Sequence, residues 1–205
     1  MILGSQCLIL YILQGIKTCN HFDLSGSYHM NKRQYVQKTF ERQRLLNKMM
    51  SRPGPFPYVI ILDHLKIDFN IGKIIRSAEA FGAHGVDIVG TSFFDPLPAK
   101  GCTKRVPWTL YKQFHECYQQ RLSEGFTFYA FDAEAPVSLH EEKFPDKSAF
   151  ILGHEGFGFT FKKELYPEIR WIKIPQFGLV ESLNVSVAAS VVMYEFVRSR
   201  NFQTN

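Results

Sequence analysis

The chain has 205 residues, 45% hydrophobic and 15% aromatic, which suits one medium domain with a sizeable core and a small appendage. Its mean hydropathy of -0.13 lies in the range of soluble proteins. A formal net charge of +5 and a pI near 9.0 favour a polyanionic partner without naming one. The four cysteines, Cys7, Cys19, Cys102 and Cys117, contain no C-x-x-C pair, and the seven histidines contain no H-E-x-x-H. That argues against a disulfide scaffold and against a metal site, and for unpaired thiols in a reducing cytoplasm.

Leu8–Leu13 (LILYIL) is apolar but far shorter than the ~18 residues of a spanning segment. No Lys or Arg precedes it and no small-residue cleavage site follows, so a signal peptide fits poorly. From Asn31 the composition turns basic. This marks Met30 as the expected natural start and residues 1–29 as a loose tail or an over-read. Residues 30–56 form a basic arm. Within it Lys32, Arg33, Lys38, Arg42, Arg44 and Lys48 stand against the single acid Glu41, in a helix-forming run with Tyr35, Phe40, Leu45 and Met49 as an uneven apolar stripe. The arm either meets nucleic-acid phosphates or is a solvated helix packed on the domain. Arg52–Pro57 (RPGPFP) ends it.

A βα rhythm follows. Tyr58–Leu62 reads as a strand and residues 71–82 as a helix, with Ile71, Ile74, Ile75, Ala78 and Phe81 at helical spacing. Val86–Val89 is a second strand and 110–122 a helix. Phe126–Phe131, Ala149–Leu152 and Trp171–Ile174 are further strands, and 183–198 is a helix apolar nearly all round and mostly buried. Continuously apolar strands alternating with helices predict an α/β fold, a mostly parallel sheet covered by helices on both faces.

Three motifs follow strands. In the first, N-I-G-K-I-I-R-S-A at 70–78 followed by Phe81-Gly82, Asn70 is placed either to cap the helix or to serve a site, and Arg76 is either a functional or a surface cation. The second, L-G-H-E-G-F-G at 152–158, is a tight glycine loop around Glu155. It lacks the G-x-G-x-x-G spacing of a dinucleotide site. The third runs from Ile174-Pro175 through Gly178 to E-S-L-N-V-S-V-A-A at 181–189. Ser182 and Asn184 there open an apolar, small-residue helix, as an N-cap or as partners of buried backbone.

Together, in this order, the motifs resemble the SpoU family of the SPOUT class of RNA 2′-O-ribose methyltransferases, over about residues 57 to 198. The resemblance implies a methyltransferase domain at 57–200 with a short tail at 201–205, and a C-terminal trefoil knot, a threading no periodicity argument proposes. It implies S-adenosylmethionine as cofactor, held largely by backbone at Gly153, Ile174 and Leu183, with Phe131 beside the adenosyl group. It implies Arg76, Asn70, Glu155, Ser182 and Asn184 as the catalytic set. Arg76 would bind the neighbouring phosphate and polarise the ribose hydroxyl, since a guanidinium is a poor base. The expected substrate is tRNA or rRNA. The expected assembly is a homodimer through the motif helices, in the cytoplasm, with no membrane and no metal. The rival from the same family is a catalytically silent RNA-binding protein. A dehydrogenase would need glycines where this chain has Asp63-His64-Leu65-Lys66.

Overall fold

The computed structural model describes residues 31–67 and 69–200; the expectations for residues 1–29 and 201–205 fall outside that range. Four α-helices are present among the described residues: α1 (Lys32–Met50), α2 (Phe69–Ala80), α3 (Phe114–Ser123) and α4 (Val185–Arg198). The strands are β1 (Phe56–Asp63), β2 (Ala83–Val89), β3 (Trp108–Tyr111), β4 (Thr127–Phe131), β5 (Val137–Ser138), β6 (Ser148–Leu152) and β7 (Arg170–Lys173). They make one sheet in the order β3-β2-β1-β6-β4-β7-β5, and every pairing in it is parallel.

Side chains alternate across a strand, and β1 feeds two cores. Tyr58, Ile60 and Leu62 point into one with Ile71, Ile74 and Ile75 of α2, Met193 and Phe196 of α4, and Phe40 of α1. Val59 and Ile61 point into the other with Phe114, Cys117 and Tyr118 of α3. The sheet is thus covered on both faces, as its continuously apolar strands predict. Burial pushes the unbridged Cys102 and Cys117 thiols up, which makes both poor nucleophiles.

From β1 the chain builds outward through β2 to β3, then returns to the far side of β1 for the remaining strands. The reversal falls between β1 and β6. In an open parallel sheet, the crevice beyond the strand ends at such a reversal is where ligands bind.

Local sequence explains where the elements differ from expectation. The run expected as one helix at 110–122 divides into the four-residue β3 and α3. The Glu116 carboxylate accepts from the backbone N–H of Lys112 (3.1 Å) and Gln113 (3.4 Å), and so fixes the helix start at Phe114, four residues late. β5 has two residues and carries no pattern. Of the stripe expected on α1, only Phe40 is buried, joined by Val36; Tyr35, Leu45 and Met49 are exposed. Phe40 packs on Phe94 and Trp108, with ring centroids 5.2 and 5.5 Å away. The Asn47 amide donates to the carbonyls of Thr103 (2.8 Å) and Val106 (2.6 Å). The six basic residues of α1 all face solvent.

A fully buried Asp87 on β2 receives two bonds from Arg121 of α3, Nε to Oδ2 at 2.6 Å and Nη2 to Oδ1 at 2.8 Å. Removing one member strands a buried charge. Arg121→Met is expected to lower unfolding free energy by ~3–5 kcal/mol in urea titrations. A loss below about 1 kcal/mol would show that Asp87 is neutral or otherwise satisfied.

Candidate active site

Where the parallel strands end, a cavity of about 430 Å³ opens, within the size range of small-molecule sites. Its wall comes from three segments: Phe131–Ala133 after β4, Leu152–Phe159 after β6, and Ile174–Ala188 after β7. Each follows a strand, so the sheet sets their spacing.

The glycine loop is closed on itself. His154 N–H donates to the Gly158 carbonyl (2.7 Å), and Gly158 N–H to the His154 carbonyl (3.0 Å). A Cβ on Gly153 would lie 2.7 Å from the Gly158 carbonyl oxygen, so no larger residue fits there unchanged. Gly158 itself has φ +76°, the left-handed region. Beyond the loop, Asp63 at the end of β1 is fully buried and accepts from Thr160 N–H (2.6 Å) and Thr160 Oγ1 (2.7 Å). This ties the loop's exit to the sheet centre.

Hydrogen bonds join all three motifs. The buried Asn70 donates through Nδ2 to Glu155 Oε1 at 2.7 Å, and its Oδ1 accepts from Asn184 Nδ2 at 3.4 Å. Asn70 lies inside the first turn of α2, not ahead of it. Asn184, not Ser182, caps α4: its Oδ1 accepts from Ser186 N–H (3.0 Å) and Ser186 Oγ (2.6 Å). Ser182 is exposed at the cavity wall. Gly153, Ile174, Leu183 and Phe131, the positions expected to hold a cofactor, all line the cavity, as do Glu155, Ser182 and Asn184.

Arg76 does not line it. Neither does Asn70, and six residues along a helix leave Arg76 about 120° around the axis from it, so the two side chains leave α2 in different directions. Gly72 packs on Asp95 and Pro98, and Glu79 pairs with Arg105 at 2.5 Å. Arg76 leaves the helix between these two positions and is exposed. The cavity wall contains Asp132, Glu155 and Glu181 but no Lys or Arg among the described residues.

Two participants escaped sequence reading. Asp63 carried a detectable signal, a carboxylate closing an apolar strand, but its partner Thr160 lies 97 residues away. Gln176, another wall residue, sits one position beyond Ile174-Pro175 and had no spacing to mark it.

A doubly covered parallel sheet with a glycine-loop cavity beyond the ends of β4, β6 and β7 has the form of a ligand-binding α/β protein. The sequence profile of the SpoU rRNA methylase family matches residues 57–194, and the chain belongs to that family. It is 32% identical over 162 residues to a putative TrmH family tRNA/rRNA methyltransferase of Bacillus subtilis, covering 76% of this chain and 64% of the relative. To a Thermus thermophilus tRNA (guanosine(18)-2′-O)-methyltransferase it is 30% identical, covering 80% and 86%. It spans only 42% of an uncharacterised tRNA/rRNA methyltransferase from Synechocystis, also 30% identical. Among solved structures, the SpoU methyltransferase AviRb of Streptomyces viridochromogenes in complex with AdoMet matches with TM-score 0.61 and 26% identity, over 72% of this chain and 58% of that one.

Gly153→Ala is expected to cost ~1–3 kcal/mol, since the added methyl must displace backbone. Thermal and urea denaturation read the loss directly. An unchanged midpoint would mean that the loop closes in some other way.

Proposed function

We propose that this protein is an S-adenosylmethionine-dependent methyltransferase that modifies a ribose 2′-hydroxyl in tRNA or rRNA. The observation that carries the reading is a cavity walled by the second and third motifs, with Asn70 of the first motif hydrogen-bonded to both Glu155 and Asn184. The family membership and the AdoMet complex of a structural relative support it.

The residues present fit the cofactor. Phe131, Leu152 and Ala188 offer apolar wall, and the Gly153 turn leaves backbone accessible. Ile174 and Leu183 would hold the adenosyl end through backbone groups. When bound, the cofactor supplies a methyl group on a sulfonium, already activated for transfer. The remaining demand is to orient a weakly acidic hydroxyl and to stabilise the negative charge growing on its oxygen. Glu155 and Asn70 orient that end of the site, Asn184 fixes the start of α4, and Ser182 holds the target phosphate.

The wall carries acids and no permanent cation, so the charge a nucleotide needs comes from outside it. Arg76, exposed and outside the wall of its own cavity, fits that need from a second subunit. The homodimer would form across α2 and α4. Their outer surface holds a shallow groove including Lys73, Val187, Ser190 and Tyr194, with Val187 and Tyr194 exposed. Arg76 of the partner subunit then binds the phosphate and polarises the hydroxyl, while the proton leaves to phosphate or solvent. The exposed basic face of α1 tracks the RNA backbone. The segment after β7 would pass through the loop after β6 as a trefoil knot. Unbridged, buried Cys102 and Cys117 suit the cytoplasm.

Arg76→Ala is expected to slow methyl transfer ~100- to 1000-fold while cofactor affinity, measured by calorimetry, holds. Leu183→Arg is expected to abolish cofactor binding. Mixed and refolded together, the two dead variants should recover about a quarter of wild-type activity, because half the dimers then hold one intact composite site. No recovery would place Arg76 in its own subunit's chemistry, and a fully active Arg76→Ala would remove it from the mechanism.

A further inference from the structure

Gln176 lines the cavity between Ile174 and Leu183, and its Oε1 is buried without a hydrogen-bond partner. Among the described residues no other buried side-chain oxygen or nitrogen is left so. A dry, unpaired acceptor costs ~1–3 kcal/mol, and native proteins tolerate few of them. The terminal torsion of a glutamine is soft, so a small turn brings this oxygen to a ligand donor in the cavity and relieves the cost.

Resting on the cofactor reading above, we propose that the Gln176 carboxamide reads the 6-amino group of the cofactor's adenine. The cofactor offers two nitrogen donors of different character. Its α-ammonium is charged, and sequestering it against one neutral oxygen would be expensive. Asp132, Glu155 and Glu181 in the same wall offer carboxylates better suited to it. The adenine amine is neutral and belongs to a flat ring that suits the apolar wall of Phe131, Leu152 and Ala188. A glutamine amide also matches adenine's adjacent donor and acceptor with its own acceptor and donor, the pairing used on adenine edges elsewhere. Gln176 would then set base specificity at a site otherwise read by backbone.

The test is calorimetry on the full chain with three ligands: S-adenosylhomocysteine, its analogue with hydrogen in place of the 6-amino group, and methylthioadenosine, which keeps adenine but lacks the amino-acid end. Wild type should prefer the first over the second by about tenfold. Gln176→Met should bring that ratio close to one by weakening the first ligand, with the ratio of the first to the third unchanged. Gln176→Glu, which keeps an acceptor, should retain most of the preference. Undiminished discrimination in Gln176→Met overturns the proposal. So does a change confined to the methylthioadenosine ratio, which would assign the oxygen to the ammonium. Wild type binding none of the three would instead overturn the cofactor reading, and this inference with it.

Discussion

Asn70 uses both ends of one carboxamide to connect segments that are far apart in the chain. Its nitrogen donates to Glu155 in the glycine loop, 85 residues on, and its oxygen accepts from Asn184 at the start of α4, 114 residues on. Asn70 is buried while Glu155 and Asn184 are exposed, so both bonds are part-buried and it is the Asn70 carboxamide that would be costly to leave unmatched. Each partner is itself anchored: Glu155 by a loop closed from His154 to Gly158, and Asn184 by capping α4 through Ser186. The cavity wall therefore takes its shape from the sheet's strand ends and from this bridge.

The same bridge separates two jobs within a single helix. The side of α2 that carries Asn70 and Ser77 faces α4, where Ser77 and Ser190 share a 2.8 Å hydrogen bond. The side that carries Gly72 and Glu79 faces the segment from Asp95 to Arg105. Arg76 belongs to that second side. An acidic and apolar cavity with no cation in its wall is an incomplete site for the polyanionic substrate proposed above. That incompleteness is the physical reason for a second subunit in the proposed mechanism.

The fold was legible wherever burial forces a repeating pattern. β1, β4 and β6 are buried and mainly apolar on both faces, β2 is so apart from Asp87 and His84, and α2 and α4 carry apolar residues at helical spacing, so each stood out within a few residues of its true bounds. β3 and β5 are short, at four and two residues, and a strand that short has no period to detect. The stripe expected on α1 is mostly exposed because a long helix lying on one edge of a domain buries only the turns it touches, here around Val36, Phe40 and Asn47. At the site, glycines and polar residues opening apolar runs marked all three motif loops. The positions of Asn70 and Ser182 relative to their helices were not legible, because a cap is decided by a turn's geometry that several nearby polar residues could satisfy. The direction of Arg76 follows from helix rotation alone. The Asp63–Thr160 tie and the unpaired oxygen of Gln176 arise only from tertiary approach, which no local pattern encodes.

The proposed function rests on which atom of RNA receives a methyl group. Purified protein would be incubated with bulk tRNA and rRNA and labelled S-adenosylmethionine, the RNA digested to nucleosides, and the labelled product identified by chromatography. The account predicts label in a 2′-O-methyl nucleoside whose ribose resists alkaline cleavage on its 3′ side. Label in a base-methylated nucleoside, or RNA bound without any transfer, would contradict it.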